Sequence, residues 1–99
     1  MLLALDVGNT NIVLGVFEGD ALKTHFRLST SRNRTADEYG LVMLSILKYA
    51  GIAQTDIDDV IVSTVVPPVT DTLRDMAKKY FNSDALFVDP GVKAGLNIK

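Results

Sequence analysis

The chain has 99 residues, one domain at most, and 47% of them are apolar, enough for a modest core. Its net charge is −2 with scattered basic residues, which argues against nucleic acid or an anionic membrane as the main partner. There is no cysteine, so disulfides and thiolate metal sites are excluded and a reducing, cytoplasmic interior suits the composition.

The first apolar run, Leu2-Leu3-Ala4-Leu5, breaks at Asp6 with neither a basic segment before it nor a cleavage site. It reads as a strand, not a signal peptide, and no stretch approaches bilayer length. The polar segment Asp6-Val7-Gly8-Asn9-Thr10-Asn11 follows, then a second apolar run, Ile12-Val13-Leu14-Gly15-Val16-Phe17. Apolar residues at successive positions predict two strands buried on both faces and joined by a tight turn. Gly8 is expected at positive φ, where it suffers no Cβ penalty, so that the backbone doubles back there. Such a turn gathers N–H groups toward one point, and a concave row of backbone donors binds phosphate. Asp6 would repel a phosphate directly, but it can hold Mg²⁺ through waters, and the metal neutralises phosphate oxygens. Asp, Gly and Asn are also the ordinary residues of hairpin turns. What favours a site is the number of polar side chains set between two buried strands.

Glu18-Gly19-Asp20 is the next turn. From Ala21 to Ser29 the pattern alternates, with Leu22, Phe26 and Leu28 on one face and Lys23, His25, Arg27 and Ser29 on the other. That is a half-exposed edge strand, and His25 on its polar face is read as a solvated residue. Thr30 to Arg34 is a polar basic loop. Thr35-Ala36-Asp37-Glu38 has the capping-box pattern. Tyr39, Val42, Met43, Ile46, Leu47 and Ala50 then give a helical stripe, and Gly51 stops it. Because capping explains Thr35 and Glu38, no chemistry is assigned to them.

Asp56, Asp58 and Asp59 precede the β-branched run Val60 to Val66. Sheets of this kind carry their sites after the strands, so these aspartates are read as a solvated turn. Pro67-Pro68 ends the strand and prepares a helix, whose stripe is Val69, Leu73, Met76, Ala77 and Tyr80. Asn82 is read as the C-cap, and Ala85 to Val88 is a short fifth strand ended by Asp89-Pro90-Gly91. The order predicts an α/β fold: an antiparallel three-strand meander, later strands parallel to the first, and helices flanking a mixed five-stranded sheet.

That order, with D-x-G-N-T at the first hairpin, resembles the ribonuclease H-like domain of acetate and sugar kinases, actin and the heat-shock ATPases. Four blocks carry a closer resemblance, to type III pantothenate kinases: Leu5 to Asn11, Arg34 to Tyr39, Ser63 to Pro68, and Val88 to Leu96. The resemblance implies ATP-dependent phosphorylation of pantothenate, the first committed step of coenzyme A synthesis, by a cytoplasmic homodimer. It places the ATP phosphate-binding element on Asp6, Val7, Gly8, Asn9, Thr10, Asn11, Ile12 and Val13, with Mg²⁺ organised by Asp6. It also implies a second domain of the same fold after residues 1–99. The general base, the pantothenate site, the adenine contacts and the potassium or ammonium site would lie there, so no catalytic residue is assigned in this chain and residues 1–99 alone are expected to be inactive.

Two other readings differ in class. A non-catalytic accessory or regulatory relative of the same fold would be favoured by a degraded turn, but Asp6 and Gly8 are both present. Another ATPase of the superfamily would share the hairpin without the Val88 to Leu96 block. No P-loop signature and no G-x-G-x-x-G fingerprint occurs.

Overall fold

The structure is a computed structural model and describes residues 1–88; the expected turn at Asp89-Pro90-Gly91 and the strand-like Val92 to Lys99 lie outside the described residues. Its elements are β1 (Leu2–Val7), β2 (Asn11–Glu18), β3 (Ala21–Ser29), α1 (Ala36–Tyr49), β4 (Asp59–Thr64), α2 (Thr70–Phe81) and β5 (Leu86–Val88). Short 3₁₀ turns at Gln54–Asp56 and Pro67–Val69 lead into β4 and α2. The sheet order is β3-β2-β1-β4-β5. β1 pairs antiparallel with β2 and parallel with β4, so the first strand of the chain is the centre of the sheet.

Register divides β1 into two faces. Leu3, Leu5 and Val7 stand opposite Val16, Leu14 and Ile12 on β2, and opposite Val60, Val62 and Thr64 on β4. All of these but Thr64 join Tyr39, Met43 and Leu47 of α1 and Leu73, Met76 and Ala77 of α2 in one buried cluster. Both helices therefore pack on this face, and truncating one of its leucines to alanine costs about 2–5 kcal/mol. The opposite face, with Leu2, Ala4, Asp6, Val13 and Ser63, gives nothing to that cluster. Burial on both faces is nonetheless real for the small residues, since Ala4 is fully buried.

The local signals produce the expected stops. Thr35 Oγ1 accepts from the Glu38 amide at 3.1 Å while the Glu38 carboxylate accepts from the Thr35 amide at 2.8 Å. Gly51 and Asn82 take left-handed backbone after α1 and at the end of α2. Asp56 accepts from the Ala53 amide and Asp58 pairs with the N-terminal ammonium at 2.7 Å, so both aspartates before β4 do structural work. No helix among the described residues is long and apolar enough to cross a membrane.

Three expectations need correction. β4 ends at Thr64 rather than Val66, because the Thr64 hydroxyl accepts from the Val66 amide at 2.9 Å and turns the chain, leaving Val65 exposed and Val66 buried. α2 begins at Thr70, since the two prolines form a 3₁₀ turn of their own. Leu22 does not share a face with Phe26 and Leu28. The β2–β3 register shifts between Val16 and Phe17, so that Val16 faces Thr24 and Phe17 faces Leu22. Lys23 is the extra residue of a bulge, and beyond it the alternation inverts.

Candidate functional site

Four features meet at the carboxyl ends of the parallel strands β1, β4 and β5, the end at which open α/β sheets bind ligands. The first is the hairpin turn itself. The Gly8 amide donates to the Asn11 carbonyl at 2.9 Å and closes the turn. None of residues 8–11 has positive φ, which corrects the expectation for Gly8. A Cβ at position 8 would meet the Asn11 carbonyl oxygen at 3.3 Å, so the glycine serves a close backbone approach rather than a left-handed conformation. Its amide is spent inside the hairpin. The exposed pair Asn9 and Thr10, with the Thr10 hydroxyl, is what the turn presents to solvent.

The second feature is Thr30, to which the sequence reading assigned nothing. Its hydroxyl donates to the Gly8 carbonyl at 2.8 Å and its amide donates to the Thr10 carbonyl at 2.8 Å. Two turn carbonyls are thereby directed toward the loop after β3, which limits how the amides between them can rotate. The loop is anchored in turn. The Ser31 amide donates to the Tyr39 hydroxyl at 2.9 Å, and that hydroxyl donates to the Ser31 carbonyl at 2.7 Å. Arg34 lies over the Tyr39 ring at 5.0 Å, a cation–π contact, and donates to the Ser29 carbonyl at 3.2 Å. A helix residue thus braces the turn through one intervening loop.

The third and fourth features are Asp6 and Ser63. Asp6 stands opposite Val13 on β2 and Ser63 on β4, so the three share the sheet face away from the helical core. Asp6 is half-buried. Ser63 is completely buried, and its Oγ has no hydrogen-bond partner among the described residues. No group of three or more His, Cys, Asp or Glu side chains that could cage a metal occurs among the described residues. Mg²⁺ characteristically needs no such cage, being held by one or two carboxylates, waters and phosphate oxygens. One half-buried carboxylate, an orphaned hydroxyl across the strand and an exposed turn fit that requirement.

The sequence pattern described as type III pantothenate kinase matches residues 2–99. The chain belongs to the type III pantothenate kinase family. A member from Geobacillus sp. (strain WCH70) is 50% identical over 99 residues, covering 100% of this chain and 38% of its own length. One from Halalkalibacterium halodurans is 48% identical over the same span, with 39% of its length covered. The chain thus spans under two fifths of the curated relatives it matches.

Among solved structures, a ROK hexokinase from Thermus thermophilus superposes with a TM-score of 0.65 at 17% identity, over 89% of this chain and 34% of that one. A Bacteroides thetaiotaomicron protein with an actin-like ATPase fold gives 0.63 at 15%, over 88% and 32%. At such identities the likeness concerns the fold: the mixed sheet of this chain is that of the sugar-kinase and actin-like ATPase structures it superposes on.

The remaining residues assigned to the phosphate element in this family segment divide by register. Val7 and Ile12 are buried in the helical core, at 1% and 0% exposure, so their side chains hold the strand ends and do not face the turn's open side. Asn11 begins β2 opposite Ser29, and Val13 lies beside Asp6. A groove of about 400 Å³ lined by Gln54, Thr55, Ile57, Lys79, Tyr80, Phe81 and Asn82 lies at the other end of the sheet, before β4 begins.

Proposed function

We propose that the protein carrying this segment phosphorylates pantothenate with ATP, and that residues 1–99 supply the wall that receives the nucleotide's phosphates. The observation behind this reading is family membership over residues 2–99, and the turn chemistry agrees with it. The amides of Asn9 and Thr10 and the Thr10 hydroxyl donate to phosphate oxygens. Thr30 fixes the turn carbonyls so that those donors are set before the ligand arrives, which lowers the ordering cost of binding. Asp6 orients the waters of Mg²⁺, which when bound neutralises the charge on the phosphate oxygens during transfer. The general base and the pantothenate, adenine and monovalent-cation (potassium or ammonium) sites are assigned outside residues 1–99, and the cytoplasmic homodimer expected from the resemblance belongs to the same reading.

The test is Asp6→Asn in a complete enzyme containing these residues. Asparagine keeps the shape and removes the charge, so pantothenate-dependent ADP formation should be lost while circular dichroism and the melting temperature are retained. Turnover with unchanged magnesium dependence would overturn the assignment.

A further inference from the structure

A buried hydroxyl without a partner is uncommon, because leaving such a group unsatisfied is unfavourable. Ser63 has one at 0% exposure, with no partner among the described residues, on β4 between β1 and β5. Alanine would fill the same space without the penalty, so packing alone does not account for serine at this position. Its surroundings are specific. Ser63 lies opposite Asp6 on β1 and opposite Val88 on β5, all at the carboxyl ends of parallel strands. Neighbouring strands stand about 4.8 Å apart, and residues in register share a face. The hydroxyl is therefore one strand away from the carboxylate assigned to Mg²⁺, on the same side of the sheet, yet it has no hydrogen-bond partner among the described residues.

We infer that Ser63 is a positioning residue for Asp6: its hydroxyl donates to the Asp6 carboxylate when that group turns to hold the hydrated magnesium of a bound nucleotide triphosphate. The inference rests on the reading of Asp6 above. Carboxylates that serve metals are themselves held by hydrogen bonds, and removing such a partner lowers metal affinity by about 10–100-fold. Full burial suits this role, since a group acting through a ligand needs no access to solvent. The unmet hydrogen bond of Ser63 is then a stability cost retained for function, as strained or unsatisfied groups at sites often are.

The consequence is a pair of opposite effects. Ser63→Ala should raise the melting temperature of the ligand-free protein, because the orphaned hydroxyl is gone. It should also weaken calorimetric binding of ATP by about tenfold or more in magnesium, with binding in EDTA unchanged. In an Asp6→Asn background the same substitution should weaken magnesium–ATP binding no further, because the charged carboxylate it positions toward magnesium is absent. Ser63→Thr, which keeps the hydroxyl, should bind magnesium–ATP more tightly than Ser63→Ala. A loss of stability in Ser63→Ala, or equal loss of affinity with and without magnesium, would overturn the inference and make Ser63 structural. Normal magnesium–ATP binding by Ser63→Ala, where Asp6→Asn alone binds poorly, would overturn it and leave the reading of Asp6 standing. If Asp6→Asn itself binds magnesium–ATP normally, the reading of Asp6 fails and this inference fails with it.

Discussion

Gly40 offers a test in which the sign of the effect decides. It lies buried in the second turn of α1, where glycine is ordinarily a poor choice: replacing an internal helical glycine with alanine gains about 1 kcal/mol. Here an added Cβ would overlap Tyr80 Cδ2 and stand 2.5 Å from Cε2 and 2.8 Å from Cγ. The last of these atoms is next to the Tyr80 Cβ, so a swing of the ring tip does not relieve the clash; the side chain must leave its rotamer or the helices must part. Overpacking of this kind costs about 1–3 kcal/mol. The Tyr80–Asp37 bond is exposed to solvent, so its loss adds little to the sum. Gly40→Ala should therefore lower stability by about 1 kcal/mol net, or about 4–8 °C in melting temperature for a domain of this size. Urea unfolding and a thermal melt read the effect. In a Tyr80→Ala background the same substitution should become stabilising, because only the helix gain remains. A stabilising Gly40→Ala with Tyr80 present would refute the argument that α1 and α2 meet through this ring.

Two further predictions concern bonds described above. Thr30→Val removes the hydroxyl that donates to the Gly8 carbonyl and should cost about 1 kcal/mol in urea unfolding, with faster amide exchange at Asn9 and Thr10; exchange unchanged at both residues would show that Thr30 does not brace the turn. The Tyr80 hydroxyl, 2.6 Å from Asp37 Oδ1, with Lys79 beside it, holds the Asp37 carboxyl below its ordinary value of 3.8. A depressed carboxyl contributes stability above its unfolded value that is lost as pH falls through the folded value. Tyr80→Phe should move the Asp37 titration back up in carbon-detected NMR, and an unmoved titration would contradict the assignment of cause.

What the sequence made legible was local. The capping box at Thr35 and Glu38, the left-handed stops at Gly51 and Asn82, and the apolar stripes of both helices, apart from the exposed Val42, depend on residues within a turn or two of one another. The order of strands followed from run lengths and the helices between them. What failed or was missed depends on contacts remote in the chain. A bulge at Lys23 inverts the face of Leu22 through pairing with β2, and nothing in the alternation of β3 announces it. Thr30 reads as one more polar loop residue until its hydroxyl is seen on Gly8, 22 positions earlier. Ser63 and Gly40 show their character only once β1 and Tyr80 are placed beside them. The Gly8 expectation failed differently: glycine satisfies both a left-handed turn and a close carbonyl, and sequence alone does not separate these.

The central claim is that the Asn9–Thr10 turn receives ATP phosphates with Asp6 beside it. Its most direct test follows backbone amide resonances while magnesium–ATP is added to millimolar concentration. The amides of Asn9 and Thr10 should shift saturably, the Gly8 amide should move less because it already donates to the Asn11 carbonyl, and Asp6→Asn should weaken the response. Turn resonances that stay still while those around the groove of Gln54 and Asn82 move would contradict the account.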